Sequence, residues 1–237
     1  MFTIPTRLHT IFVSIGPTNC GKTTFCNKLV KSLSSKVIDE KKNLNVQYIS
    51  SDDIRRDMLG TNVVTGVNVT ETCINKYDQQ MMEISSNAFE LLHTKVTLLT
   101  KFPVNAEFVV IDSTGLSEIF RKRLENIAYE NHYNLEYIVF DYKDRTDYYK
   151  LPNGNKTVIS LQIDKLRTNV LGSLGHTKRH NIRNYINDVE CTIENLSEYQ
   201  QTFLDPERNY FIFGDVHTCV DELKSLLMKA QFDSKST

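Results

Sequence analysis

The hydrophobic positions of the chain fall into two periods. Short, nearly unbroken apolar runs recur at 11–15 (IFVSI), 46–50 (VQYIS), 108–112 (FVVID) and 135–142 (LEYIVFDY). Each has the length of a strand, and FVVID is the pattern of a strand buried on both faces in a parallel sheet. Between these runs the spacing becomes helical. Phe25, Leu29, Val30 and Leu33 share one side of 22–33, Met81, Ile84, Phe89 and Leu92 mark a long helix through 71–99, and EIFRKRLENIAYENH predicts another over 118–132. Alternating strands and helices predict an α/β fold, a parallel sheet with helices on both faces. The polar stretch 142–158, with its turn at Pro152-Asn153-Gly154, predicts a loop or hairpin insertion. Residues 160–200 predict helix again, interrupted by LGSLGHTKRH at 171–180. Near the end, YFIF (210–213) predicts one more strand and DELKSLLMKAQF (221–232) an amphipathic helix. No internal repeat or low-complexity linker is visible.

Composition narrows this picture without redirecting it. A chain of 237 residues suits one large domain, or one domain and a fragment. The net charge of −1 excludes a uniformly basic surface, so any nucleic-acid contact must be local. No apolar run reaches the roughly 18 residues of a membrane helix, and MFTIPTRLHT lacks a signal-peptide pattern. The five cysteines form no Cys-x-x-Cys pair, which argues against a zinc site and fits a reducing compartment. A cytoplasmic protein without a membrane partner is expected. The abundance of Lys, Asn and Ile fits an AT-rich genome, phage or bacterial.

Chemistry enters with GPTNCGKT, Gly16 to Thr23, which matches G-x-x-x-x-G-K-[ST]. Glycines let backbone N–H groups curl around phosphate oxygens, and the helix that follows points its positive end at them. Gly16, Asn19, Cys20 and Gly21 are therefore expected to line a phosphate cradle. Lys22 reaches the β- and γ-phosphates, Thr23 offers its hydroxyl to Mg²⁺, and Thr24 either joins them or packs the helix start. The motif implies ATP or GTP with Mg²⁺ and leaves the acceptor open.

The acceptor side is read from the next strands. VQYIS runs into SDDIRRDMLG, where Asp52 and Arg55 share a helical face. A carboxylate there can take a proton from an attacking hydroxyl, and a guanidinium can hold an acceptor phosphate. Ser51 or Asp52 can equally cap the helix. Asp112 ends the FVVID strand, the position of a carboxylate that orients a magnesium shell, with a cap for the helix near Ser117 as its alternative.

Together, GPTNCGKTTF, SSDDIRR and VVIDSTGLSEIFRKRLENIA, followed by FIFGDVHTCVDEL, resemble the polynucleotide 5′-kinases. The closest likeness is the kinase module of bacterial RNA-repair kinase–phosphatase–ligase proteins. Gly115 stands where that family often has Asn. The resemblance implies a P-loop kinase domain over 1–205 with a helical lid within about 160–190, then the start of a metallophosphoesterase domain over 206–237. It implies that Asp52 is the general base on a 5′-hydroxyl, that Arg55 binds the neighbouring phosphate, and that lid arginines, here Arg167 and Arg179, cover the transferring group. Arg55, Arg56 and Arg121 would form a basic groove for an RNA or DNA end. Asp215 and His217 would be metal ligands only in a complete phosphatase domain, whose remainder would lie in a longer protein. The alternatives from the residues are a P-loop small-molecule kinase and a nucleotide-dependent switch module without transfer chemistry.

Overall fold

The computed structural model of the protein describes residues 1–39, 42–60, 80, 82–142, 146, 148, 156–195 and 219–229. The chain divides into two compact units, Met1–Gln200 and Gln201–Thr237. Asp215, His217, the strand expected at 210–213 and the boundary at 205/206 lie outside the described residues, as do 71–79 and most of 142–158.

The first unit is built on a five-stranded, all-parallel sheet. Its strands are β2 (Thr10–Ile15), β5 (Val46–Ser50), β6 (Phe108–Asp112), β7 (Asn134–Phe140) and β8 (Lys178–Ile182), in the order β5-β6-β2-β7-β8. β2 and β6 are buried along their whole length, as their uninterrupted apolar sequences require. On one face pack α2 (Ser51–Leu59), α3 (Ser85–Leu99) and α4 (Glu118–Glu130), burying Ile54, Leu92, Val96, Phe120 and Leu124 against Val13, Val109 and Ile111. On the other lie α1 (Lys22–Ser34) and α5 (Lys156–Lys165), which bury Phe25, Leu29, Ile159 and Ile163 against Phe12, Phe108 and Phe140. The helix after α5 widens into a π-turn at Leu166–Val170 and closes as α6 (Leu171–Ser173).

A second, two-stranded sheet closes this unit. β1 (Phe2–Thr6) pairs in parallel with β9 (Val189–Ile193), and a short hairpin joins β3 (Val37–Asp39) to β4 (Lys42–Asn43). Residues 160–200 are thus only partly helical: helix ends at Ser173, and β8 and β9 follow. Within the span of about 160–190 where a helical lid is expected, helix reaches Ser173 and β8 follows at Lys178. β8 escaped notice because an edge strand needs little apolar sequence. In KRHNI only His180 and Ile182 are buried.

Within the second unit, α7 (Val220–Lys229) is a ten-residue helix that begins one residue before the span expected to be helical. Among the described residues, no helix is long and apolar enough to cross a membrane.

Candidate phosphate-loop site

The strand order puts the carboxyl end of β2 at the sheet's centre, where successive connections leave to opposite sides. Such a crevice is where open α/β sheets take ligands. β2 ends at Ile15 and the chain turns at once. The Gly16 N–H donates to the Thr114 carbonyl at 3.0 Å. A Cβ on Gly16 would stand 2.8 Å from Phe140 Cβ and 2.9 Å from Cys20 Sγ, so only glycine lets the loop lie this close to β7. Asn19 and Gly21 take left-handed conformations, φ 63° and 89°, which coil the loop back over α1. Gly21 caps α1 with no side-chain bond to its first N–H groups, leaving these orphan donors to face the loop. The buried Asn19 Nδ2 has no hydrogen-bond partner. The Lys22 ammonium is buried and donates to the Pro17 carbonyl at 2.6 Å, with Cys20 Sγ at 3.8 Å. Burial pushes the Cys20 and Cys26 thiols upward, so both are neutral beside the loop. Orphan N–H groups, an unpartnered amide and a lysine converging on one turn suit a polyanion.

Thr23 and Thr24 are exposed on the first turn of α1. Asp112 closes β6 opposite Ser50, its register partner on β5. It is 6% exposed and accepts from Tyr48 Oη at 3.0 Å and more weakly from Ser14 Oγ at 3.5 Å. Ser14 Oγ also donates to the Ser113 carbonyl and accepts from Ser113 N–H. Burial, and then the Asp112 carboxylate, push the Tyr48 phenol upward, so it stays a donor. This network holds Asp112 as an oriented carboxylate beside the loop. The caps are elsewhere: Ser117 caps α4 through Phe120 N–H, so Asp112 is not spent on a helix end.

The same holds for Asp52. The α2 cap is Ser50, whose hydroxyl accepts from Asp53 N–H at 3.2 Å; neither Ser51 nor Asp52 caps. Asp52 stays on the open side of the first turn with its side chain 66% exposed, paired to Arg55 at 2.5 Å. Arg55 is only 16% exposed and lies 5.3 Å over the Phe89 ring of α3. An i,i+3 ion pair is worth about 0.2–0.5 kcal/mol. A cation over an aromatic face adds roughly 0.5–1 kcal/mol. The ring therefore fixes the guanidinium at least as firmly as Asp52 does. Its buried Nε has no hydrogen-bond partner. Arg56 pairs with Asp53 at the next step of the helix.

Two expected site residues sit elsewhere. Arg121 is 3% exposed; its guanidinium donates to the Gly115 carbonyl at 2.8 Å and to Ser173 Oγ at 2.9 Å. It braces the loop after β6 against α6 and lines no groove. Arg179 lies on β8, paired in register with Tyr137 and so level with Val13 of β2 and Ile111 of β6, and donates to the Leu171 carbonyl at 3.5 Å. It is a strand residue, not a lid residue. Arg167 is joined to the loop through Tyr142. From the π-turn it donates to the Tyr142 carbonyl at 2.6 Å, while Tyr142 Oη donates to the Cys20 carbonyl in the loop at 3.1 Å. A π-turn inside a helix often marks a functional position.

A family model described as an AAA domain matches residues 11–150, from β2 to beyond β7. The chain belongs to that family. In this AAA domain the matched span carries the phosphate loop, Asp52, Arg55 and Asp112, while Gln162 and Arg167 lie past it. No curated protein matches the chain. Solved structures resemble it distantly. A gluconokinase from Sinorhizobium meliloti 1021 is 12% identical, with a TM-score of 0.46 over 96% of this chain and 99% of that one. A Deinococcus radiodurans tunicamycin resistance protein is 11% identical, TM-score 0.43, over 73% and 85%. The Mycobacterium tuberculosis APS kinase CysC in complex with AMPPNP and APS is 15% identical, TM-score 0.40, over 94% and 99%.

Sequence reading missed several residues packed around the loop and the carboxyl end of the sheet. Tyr48 and Ser14 orient Asp112, Phe89 seats Arg55, and Gln162 of α5 accepts from Thr18 N–H in the loop at 2.7 Å. Ser14, a polar residue inside the apolar run of β2, was the one visible signal among them. A shallow crevice beside the loop is lined by Thr24, Phe25, Tyr142, Ile182, Tyr185 and Ile186. Lys28 stands 5.5 Å over the Tyr185 ring and donates to the Ile186 carbonyl at 3.0 Å.

Proposed function

We propose that the chain is a nucleoside-triphosphate-dependent kinase that phosphorylates the 5′-hydroxyl end of RNA or DNA. The observation that carries this reading is the exposed Asp52 carboxylate paired with a ring-seated, half-satisfied Arg55 on the turn that follows β5, at the same carboxyl edge of the sheet as the phosphate loop. The loop amides and Lys22 bind the triphosphate of ATP or GTP. Thr23 and Asp112 are the residues that would hold Mg²⁺, which supplies charge neutralisation on the triphosphate; the fixed Asp112 carboxylate and exposed Thr23 hydroxyl suit a hard cation. In the transfer, the acceptor oxygen bonds to the γ-phosphorus as the bond to the β-phosphate oxygen breaks. The hydroxyl proton goes to Asp52, and a nucleoside diphosphate leaves. Arg55 holds the phosphate next to the acceptor hydroxyl, and Arg167, tied to the loop through Tyr142, adds positive charge at its rim.

A second reading, a small-molecule acceptor, draws on the fate of the expected groove. Arg121 is buried, and Arg55 and Arg56 are paired with carboxylates, which leaves a modest basic surface for a polymer. The test separates the two. γ-Labelled ATP or GTP with Mg²⁺ is offered to 5′-hydroxyl oligonucleotides and, separately, to nucleosides and sugars, using wild type and Asp52→Asn. Label on the oligonucleotide is expected from wild type. Turnover should fall roughly 10²–10⁴-fold in the variant with nucleotide affinity kept. Label only on small acceptors establishes the second reading, and no label anywhere with nucleotide bound refutes both.

A further inference from the structure

The loop's second peptide unit, Pro17–Thr18, is gripped at both ends. Lys22 Nζ donates to its carbonyl at 2.6 Å, and its N–H donates to Gln162 Oε1 at 2.7 Å. Gln162 stands on α5, outside the loop and 144 residues along the chain. A backbone N–H needs an acceptor, so the network turns the carboxamide oxygen to Thr18. The carboxamide's other end carries two N–H donors. Lys22 is the residue of this motif that reaches the β- and γ-phosphates. Gln162 therefore holds, from its opposite edge, the same peptide group that this lysine holds. A second tie along the same helix, Arg167 to Tyr142 to Cys20, holds the helix against the loop independently. That tie leaves Gln162 dispensable as an anchor.

We infer that Gln162 is a positioning residue that distinguishes a nucleoside triphosphate from a diphosphate, donating from its carboxamide NH₂ to the terminal phosphate while its oxygen keeps Thr18. The inference rests on the reading of the loop as a nucleotide site. It makes α5 a sensor of the nucleotide's state, coupled to the loop by one side chain.

The test compares Gln162→Glu and Gln162→Ala with wild type. Its readouts are equilibrium binding of ADP and of a non-hydrolysable β,γ-imido ATP analogue, both with Mg²⁺, and thermal unfolding without nucleotide. Glutamate keeps an oxygen for Thr18 but replaces the donor end with negative charge. Its diphosphate affinity and melting temperature should stay near wild type, while affinity for the triphosphate analogue falls about tenfold, since like charge at a binding surface is strongly disfavoured. Alanine should lose a few-fold on the triphosphate analogue alone. Equal loss for both nucleotides, or for neither, in both variants overturns the inference and leaves Gln162 as a helix anchor. Should Gln162→Glu fail to fold, an unchanged triphosphate preference in Gln162→Ala overturns it as well. Wild type binding neither nucleotide defeats the loop reading itself, a result distinct from any of these.

Discussion

Arg121→Met separates a brace from a substrate contact. Methionine keeps an apolar stem of similar length, so packing around the helix stays largely filled. What disappears is the guanidinium and its two hydrogen bonds. Ser173 Oγ is not orphaned, because it also donates to the Val170 carbonyl at 3.0 Å. The Gly115 carbonyl loses this donor. Leaving a buried acceptor unsatisfied costs about 1–3 kcal/mol. Removing a buried charge returns part of its desolvation cost, which favours the middle of that range, about 2 kcal/mol. For a domain of this size each kcal/mol is worth about 2–4 °C in Tm, so differential scanning calorimetry should record a fall of roughly 4–8 °C. Acceptor KM should move little, because the side chain is buried away from any acceptor. An unchanged Tm together with a raised acceptor KM would refute the brace and return Arg121 to the substrate path.

Two further outcomes are expected. Gly16→Ala forces a Cβ against Phe140 and Cys20; overpacking of this kind costs about 1–3 kcal/mol, and chemical denaturation should show it together with weakened nucleotide binding. Burial holds the His93 imidazole below the ordinary histidine range, against the Phe120 carbonyl and ring. The unfolded chain therefore takes up that proton first, and His93 costs stability as pH falls through the ordinary imidazole range near 6.5, with a slope of up to about 1.4 kcal/mol per pH unit. Denaturant midpoints measured from pH 7.5 to 5.5 should fall less steeply in His93→Leu than in wild type; parallel slopes would show the histidine to be uncoupled from folding.

The sheet's interior was legible because burial on both faces leaves a one-sided signature: β2, β6 and β7 are apolar runs that no surface strand would carry. The phosphate loop was legible for a different reason, since its backbone demands glycine and its ligand demands lysine. Edge elements were not. β1 alternates around Pro5 and finds its partner 187 residues away, and β8 is paired on one side only, so polar sequence suffices for both. Arg121 shows how charge misleads. It shares the buried face of α4 with Phe120, Leu124, Ile127 and Ala128, a helical spacing visible in the sequence, yet its charge suggested surface. Asp52 could not be freed from a capping role until Ser50 was seen to cap α2. Gln162 gave no sign at all, because its meaning comes from a loop 144 residues earlier.

The pairing of β1 with β9 bears on how the first unit is made. The Leu8 N–H donates to buried Asn195 Oδ1 at 2.9 Å, and the Glu194 N–H to the Thr6 carbonyl at 2.9 Å, so both sides of this seam are locked by residues near 195. During translation at about 5–20 residues per second, β1 leaves the ribosome at least nine seconds or so before its partner exists. Through that interval it is an unclaimed strand edge, the kind of surface that pairs with the wrong chain. The five-stranded sheet can assemble up to β7 meanwhile, but the unit closes only with the synthesis of its last strand. Premature termination anywhere before about residue 195 should therefore yield not a smaller stable domain but a sheet with an open seam, a natural client for chaperones that recognise exposed strands.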